Sequence, residues 1–132
     1  MSDMGFTPPL TATGNINPFS FVKIVSTEPF SGAACADQTD YPVGVTDGSV
    51  YQFGATYNAV DGTRISLQPS NTVQVKAGGT IAAGDYLESD ANGAAVTAGG
   101  ATAVSAYIAL EAGASGNIIR AWRFGYRGPV FA

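Results

Sequence analysis

Gly79-Thr-Ile-Ala-Ala-Gly-Asp-Tyr-Leu-Glu-Ser-Asp-Ala-Asn-Gly93 decides the fold class of this chain. It reads as a turn, one inward isoleucine, a tight glycine turn, a short strand and an Asn-Gly turn. Ile81 and Leu87 can enter a core, while Gly84 and Asn92-Gly93 supply the left-handed backbone positions that sharp reversals need. Further on, Ala109-Leu-Glu-Ala-Gly-Ala-Ser-Gly-Asn-Ile-Ile-Arg120 reads as strand, glycine-rich turn and strand. Together they describe a small, turn-dense, all-β domain.

The pattern continues outward from there. Thr72–Lys76 alternates cleanly, with Val73 and Val75 inward and Thr72, Gln74 and Lys76 outward. Ser105–Glu111 and Ile118–Phe124 form a last hairpin, in which Ile118, Arg120 and Trp122 alternate against Ile119, Ala121 and Arg123. Ala94–Ala98 is a further short strand. Toward the N-terminus, Phe19–Val25 alternates, with Phe19, Phe21 and Lys23 on one face and Val22 and Ile24 on the other. Ala33–Asp37 and Val43–Thr46 are short strands, and Asp47-Gly48 and Asp61-Gly62 are turns. Val50–Tyr57 carries Tyr51, Phe53 and Tyr57 at intervals that suit one strand face, packed on the sheet or against another subunit. No segment holds a helical period over three turns. The expectation is one domain, a small compact β-barrel or sandwich of about eight to ten short strands.

Composition narrows the function. Ten acidic and six basic side chains give a net charge of −4, without the dense basic face that nucleic-acid binding needs. Only 12% of the residues are charged, which suits a surface buried against other proteins. No run approaches the roughly 20 apolar residues of a membrane span, and residues 1–10 do not read as a secretory leader. The chain is therefore read as a soluble product of a cytoplasm. Cys35 stands alone among alanines and is expected to be a small buried thiol.

Reactive chemistry is scarce. With no histidine there is no Ser-His-Asp or Cys-His nucleophile and no histidine-containing metal site. A single cysteine rules out thiolate zinc clusters, and no phosphate-cradling Gly-x-x-x-x-Gly-Lys loop occurs. Asp85 with Glu88 or Asp90 is a conceivable acid–base pair. On neighbouring turns these carboxylates are better placed to cap backbone N–H groups. Asp90-Ala-Asn-Gly93 lacks the later bidentate acid of a calcium loop. The expectation is no enzyme, no metal and no cofactor.

Two stretches stand apart. Residues 1–17 contain Pro8-Pro9 and show no period; they read either as a loose terminus or as an extended arm on which Phe6 and Leu10 flank the prolines. Arg120-Ala-Trp-Arg-Phe-Gly-Tyr-Arg127 alternates guanidinium and aromatic groups, the usual anchors of protein interfaces.

The order Pro42-Val-Gly-Val-Thr46, Gly79-Thr-Ile-Ala-Ala-Gly-Asp-Tyr-Leu87, Asp90-Ala-Asn-Gly93, Ala109-Leu-Glu-Ala112 and Ile118-Ile-Arg120 resembles the capsid cement, or head decoration, proteins of tailed bacteriophages, including the lambda-type decoration protein. The resemblance spans roughly residues 18–124; residues 49–62 and the tail 125–132 depart from it. It implies a β-tulip-like domain over residues 18–132, preceded by an N-terminal arm over residues 1–17. It implies a homotrimer on the outer surface of the virion head, made in the host cytoplasm. The partner would be the major capsid protein, with neither nucleic acid nor membrane contacted directly. Phe6, Pro8, Pro9 and Leu10 would bind the capsid, with Tyr51, Phe53, Tyr57, Trp122, Arg123 and Arg127 as interface anchors. The alternative is a receptor- or glycan-binding β module using Tyr51, Phe53, Tyr57 and Trp122.

Overall fold

A computed structural model describes residues 9–52, 54–99 and 104–127. These residues contain nine strands and no helix: β1 Thr11–Ala12, β2 Phe21–Ile24, β3 Ser31–Ala34, β4 Gly44–Val45, β5 Thr72–Lys76, β6 Tyr86–Ser89, β7 Ala95–Thr97, β8 Ser105–Ala109 and β9 Ile118–Arg127. They form a four-stranded sheet, ordered β1-β3-β2-β4, and a five-stranded sheet, ordered β5-β9-β8-β6-β7. Neither sheet closes into a barrel, so the sandwich half of the sequence expectation holds.

The five-stranded sheet follows the alternation read from the sequence. Val73 and Val75 on β5, Leu87 on β6, Tyr107 and Ala109 on β8, and Ile119 and Ala121 on β9 are buried in one cluster. Phe21, Cys35 and Val45 reach into that cluster from the smaller sheet, and the Phe21 and Tyr107 rings lie 5.3 Å apart. Cys35 is the buried thiol expected, and burial pushes its pKa up to about 12.

The four-stranded sheet is buried on both faces. Phe21 faces the larger sheet, while its neighbour Val22 packs with Leu10, Ala12, Ile16, Ala59, Ile65 and Leu67 in a second cluster. The small sheet is thus a middle layer, and β2 cannot show the polar-and-apolar alternation of a half-exposed strand. Gly32 on β3 makes the close packing possible, because a Cβ there would lie 3.0–3.2 Å from Ile65, Val22 and Leu10. Gly93 joins the halves: it has φ 81° and its carbonyl accepts the Phe21 N–H at 2.9 Å.

Two expectations are corrected. Residues 9–17 are not an arm leaving the domain. Leu10, Ala12 and Ile16 are buried, β1 runs parallel to β3, and Ile16 N–H donates to the Ala59 carbonyl at 2.8 Å. The segment carries too much apolar surface to stand in water, and it fills the face of the small sheet that the larger sheet leaves bare. The second correction concerns Val50–Tyr57, which forms no strand among its described residues. Its ends are drawn together instead. Asn58 is buried and donates to Ser49 O at 2.9 Å and Asp47 Oδ1 at 3.1 Å, while its own Oδ1 accepts the Ser66 N–H at 3.1 Å. Asp47 Oδ2 accepts the Ser66 hydroxyl at 2.6 Å. Pinned at its base, the intervening chain bulges outward as a loop of the Ω kind.

Candidate functional site

The strand register assembles a surface. Across the outer side of the five-stranded sheet, Tyr86 pairs with Ile108, Ile108 with Trp122, and Trp122 with Thr72. Trp122 is 47% exposed. Two residues on along β9, Phe124 projects to the same side, 6.4 Å from the Trp122 ring and 5.5 Å from the Tyr86 ring, which it meets edge-on. Such tilted and edge-to-face rings add about 0.5–1.5 kcal/mol per pair beyond their burial. Leu110 and Ile118, also exposed, extend the apolar band. Arg120 lies within it, its Nε 3.0 Å from Glu111 Oε2. Glu111 Oε2 also accepts the Arg120 backbone N–H at 2.8 Å, and these bonds hold the Glu111 carboxyl below its ordinary range.

The anchors expected from the sequence fall in different places. Trp122 is on this face. Arg123 is half-buried, and its N–H donates to the Asn71 carbonyl at 2.8 Å. Tyr51 and Tyr57 are exposed on the pinned loop, linked by a 3.2 Å bond from Tyr51 N–H to Tyr57 O. Pro9 is exposed and Leu10 is core. Phe6, Pro8 and Phe53 lie outside the described residues; Arg127 ends β9, and its side chain also lies outside them. Phe124, Tyr86 and Ile108 were missed by the sequence reading. Phe124 shares Trp122's side by simple alternation, whereas Tyr86 and Ile108 arrive only through register.

The carboxylates singled out for chemistry serve the turns. Asp85 Oδ2 accepts Ala82 N–H and the Thr97 hydroxyl, both at 2.9 Å. Asp90 Oδ1 accepts Asn92 N–H at 2.8 Å and Ala94 N–H at 3.0 Å. Glu88 differs. Its Oε1 is buried with no hydrogen-bond partner, and burial raises its pKa, opposed by the Gly99 N–H and reinforced by Asp37. A cleft of about 340 Å³ lies between Asn17, Phe19, Lys76, Asp90, Asn92 and Ser115. Among the described residues no group of three acidic, cysteine or histidine side chains could hold a metal ion, and no helix is long and apolar enough to cross a membrane.

These features define a two-sheet β domain with an exposed, half-apolar sheet face. The structure is similar to a solved structure of the N base of the head fiber gp8.5 of bacteriophage phi29, with a TM-score of 0.67 and 19% identity over 90% of this chain and 94% of that one. At that identity the likeness shows a shared fold. No protein-family model matches the chain, and no curated protein matches it in sequence.

Proposed function

We propose that this chain is a structural component of a tailed-phage head that binds the outer surface of the icosahedral shell and bridges neighbouring major-capsid subunits. The observation that carries the reading is the likeness of almost the whole chain to a head-fiber base. It accords with the ordered motifs of the decoration proteins and with a sheet face that offers exposed Trp122, Leu110 and Ile118. The role is mechanical and needs no catalysis. Each copy adds modest interfaces, and repeated occupancy of the shell multiplies them against the pressure of packaged DNA. A homotrimer suits a three-fold position of the shell, because cyclic closure matches the symmetry it covers.

The test is made on shells with and without the chain. Binding only the assembled state raises that state's stability with occupancy. Occupied shells are expected to survive heating and to retain DNA at temperatures that open bare ones. Electron microscopy of the same particles should show density outside the shell at three-fold positions. Equal survival at full occupancy would sink the reading.

A further inference from the structure

Where the two sheets meet, four separate stretches of chain enclose the cleft of about 340 Å³. They are the entry to β2, the end of β5, the turn between β6 and β7, and the turn between β8 and β9. The volume falls within the roughly 300–1,000 Å³ of small-molecule sites. Backbone bonds fix the walls: Lys76 N–H donates to Phe19 O at 2.9 Å, and Gly116 N–H to Ala77 O at 2.8 Å. Asp90 commits Oδ1 to its own turn, through Asn92 N–H and Ala94 N–H, and leaves Oδ2 unbonded. Gly78 makes room for that oxygen, since a Cβ there would collide with it. The Asn17 and Asn92 amides, the Lys76 ammonium and the Ser115 hydroxyl also form no hydrogen bond to another described residue. Neither Lys76 nor Asp90 belongs to an ion pair among the described residues. Five polar side chains thus share one cleft with hydrogen-bonding capacity to offer. Phe19, on the same wall, has φ of 56°. A bulky residue rarely takes that left-handed conformation, and such strained positions cluster at functional sites.

We propose that this cleft binds one sugar unit of a neutral saccharide. The inference goes beyond the shell-binding role and does not depend on it. The chemistry of the lining selects the ligand. A sugar hydroxyl both donates and accepts. One ring can therefore answer Asp90 Oδ2, which only accepts, Lys76, which only donates, and two amides that do both. Pro18 and Ala94 add apolar surface for the C–H face of such a ring. A charged ligand fits less well, because an anion meets Asp90 and a cation meets Lys76 at close range. A small zwitterion answers those two charges but leaves the amides and the Ser115 hydroxyl without partners.

The experiment uses the full chain, ¹⁵N-labelled, titrated in turn with methyl glucoside, methyl galactoside and methyl mannoside. At least one is expected to shift the amide signals of Phe19, Lys76, Gly78, Asn92 and Gly116. A Kd of about 1 mM is the strength expected of one ring held by a few hydrogen bonds. Glucuronate, protonated glucosamine and alanine are the controls, each expected to bind at least about tenfold more weakly. Lys76→Met and Ser115→Ala, both at exposed positions, should weaken binding of the same hexoside about three- to tenfold without altering the fold. Asp90→Asn keeps an oxygen for the turn and removes the free acceptor, and should weaken it more than about tenfold. If that variant does not fold, Lys76→Met and Ser115→Ala make the same test. Three results overturn the proposal. The first is no shift at these residues with any hexoside at about 100 mM, a hundred times the expected Kd. The second is a control that binds as tightly as the best hexoside. The third is shifts confined to Tyr51, Tyr57 and Trp122, which would place the sugar on the exposed aromatics instead. A chain that binds shells but no hexoside loses the cleft and keeps the shell reading; hexoside binding without shell binding does the opposite.

Discussion

In the five-stranded sheet, β5 and β9 face each other over five consecutive pairs, from Thr72–Trp122 to Lys76–Ile118. In the four-stranded sheet, β1 and β3 share two pairs, Thr11–Ser31 and Ala12–Gly32. The larger sheet is held by longer ladders, irregular only between Ser105 and Tyr107 among the described pairs of β8 and β9, and by one apolar face. The smaller sheet lacks that length and draws on side chains that bond to backbone. Thr46 Oγ1 accepts Ser20 N–H at 2.9 Å and donates to Asn17 O at 2.6 Å, and Asn58 ties the loop base together. The difference teaches where specificity resides. Ladders repeat and tolerate change, whereas a buried polar hub must satisfy every group it encloses.

The largest effect is expected where the two sheets meet. Phe21→Ala removes the ring that joins the small sheet to Tyr107, and should cost about 3–5 kcal/mol. Denaturant unfolding followed by both fluorescence and circular dichroism should remain one transition. Two separate transitions would mean that the sheets are independent units.

A smaller loss is expected from Leu10→Ala, about 2–3 kcal/mol, because Leu10 sits at the rim of the second cluster beside exposed Pro9. Unchanged stability would return residues 9–17 to the status of an arm. Next comes Asn58→Ala, expected to cost about 1–3 kcal/mol by leaving Ser66 N–H and Ser49 O without their partner. Proteolysis should then begin within residues 49–57 while amide protection of β5 and β9 persists. Loss of protection in both sheets at once would show that the hub supports the whole domain.

The smallest effect belongs to Glu88 on the larger sheet. Its folded pKa is raised above the ordinary 4.5, chiefly by burial. The stability it contributes is fully present below the unfolded value and is lost as pH rises through the folded one. Glu88→Gln should therefore be slightly more stable than the wild type at pH 7, with the gain vanishing below pH 4.5. A gain that persists in acid would trace to packing instead.

The same contrast governs how much was legible in the sequence. Thr72–Lys76 and Ile118–Trp122 announce themselves because one face of each is wet and the other dry. Ser31-Gly-Ala-Ala34 has no such signal, since its small side chains are chosen for close approach to Leu10 and Ile65. Phe19 and Phe30 have φ of 56° and 54°, so two bends of the small sheet carry none of the glycine that usually marks them. The pairing of residue 11 with residue 31 is parallel and leaves no turn to read. The surface was half legible. Trp122 stood out by type, while its alignment with Ile108 and Tyr86 depends on register, which short-range patterns do not encode.

The order of the halves along the chain has a consequence for synthesis. Every strand of the small sheet lies before residue 46, and every strand of the large sheet after residue 71. Phe21, Cys35 and Val45 must therefore wait for partners as late as Ala121. At roughly 5–20 residues per second, a nascent chain shows this apolar face to its surroundings for several seconds. The interval between halves, more than the finished fold, is when this protein is most exposed to aggregation, and slow translation of the second half should lower its yield of native product.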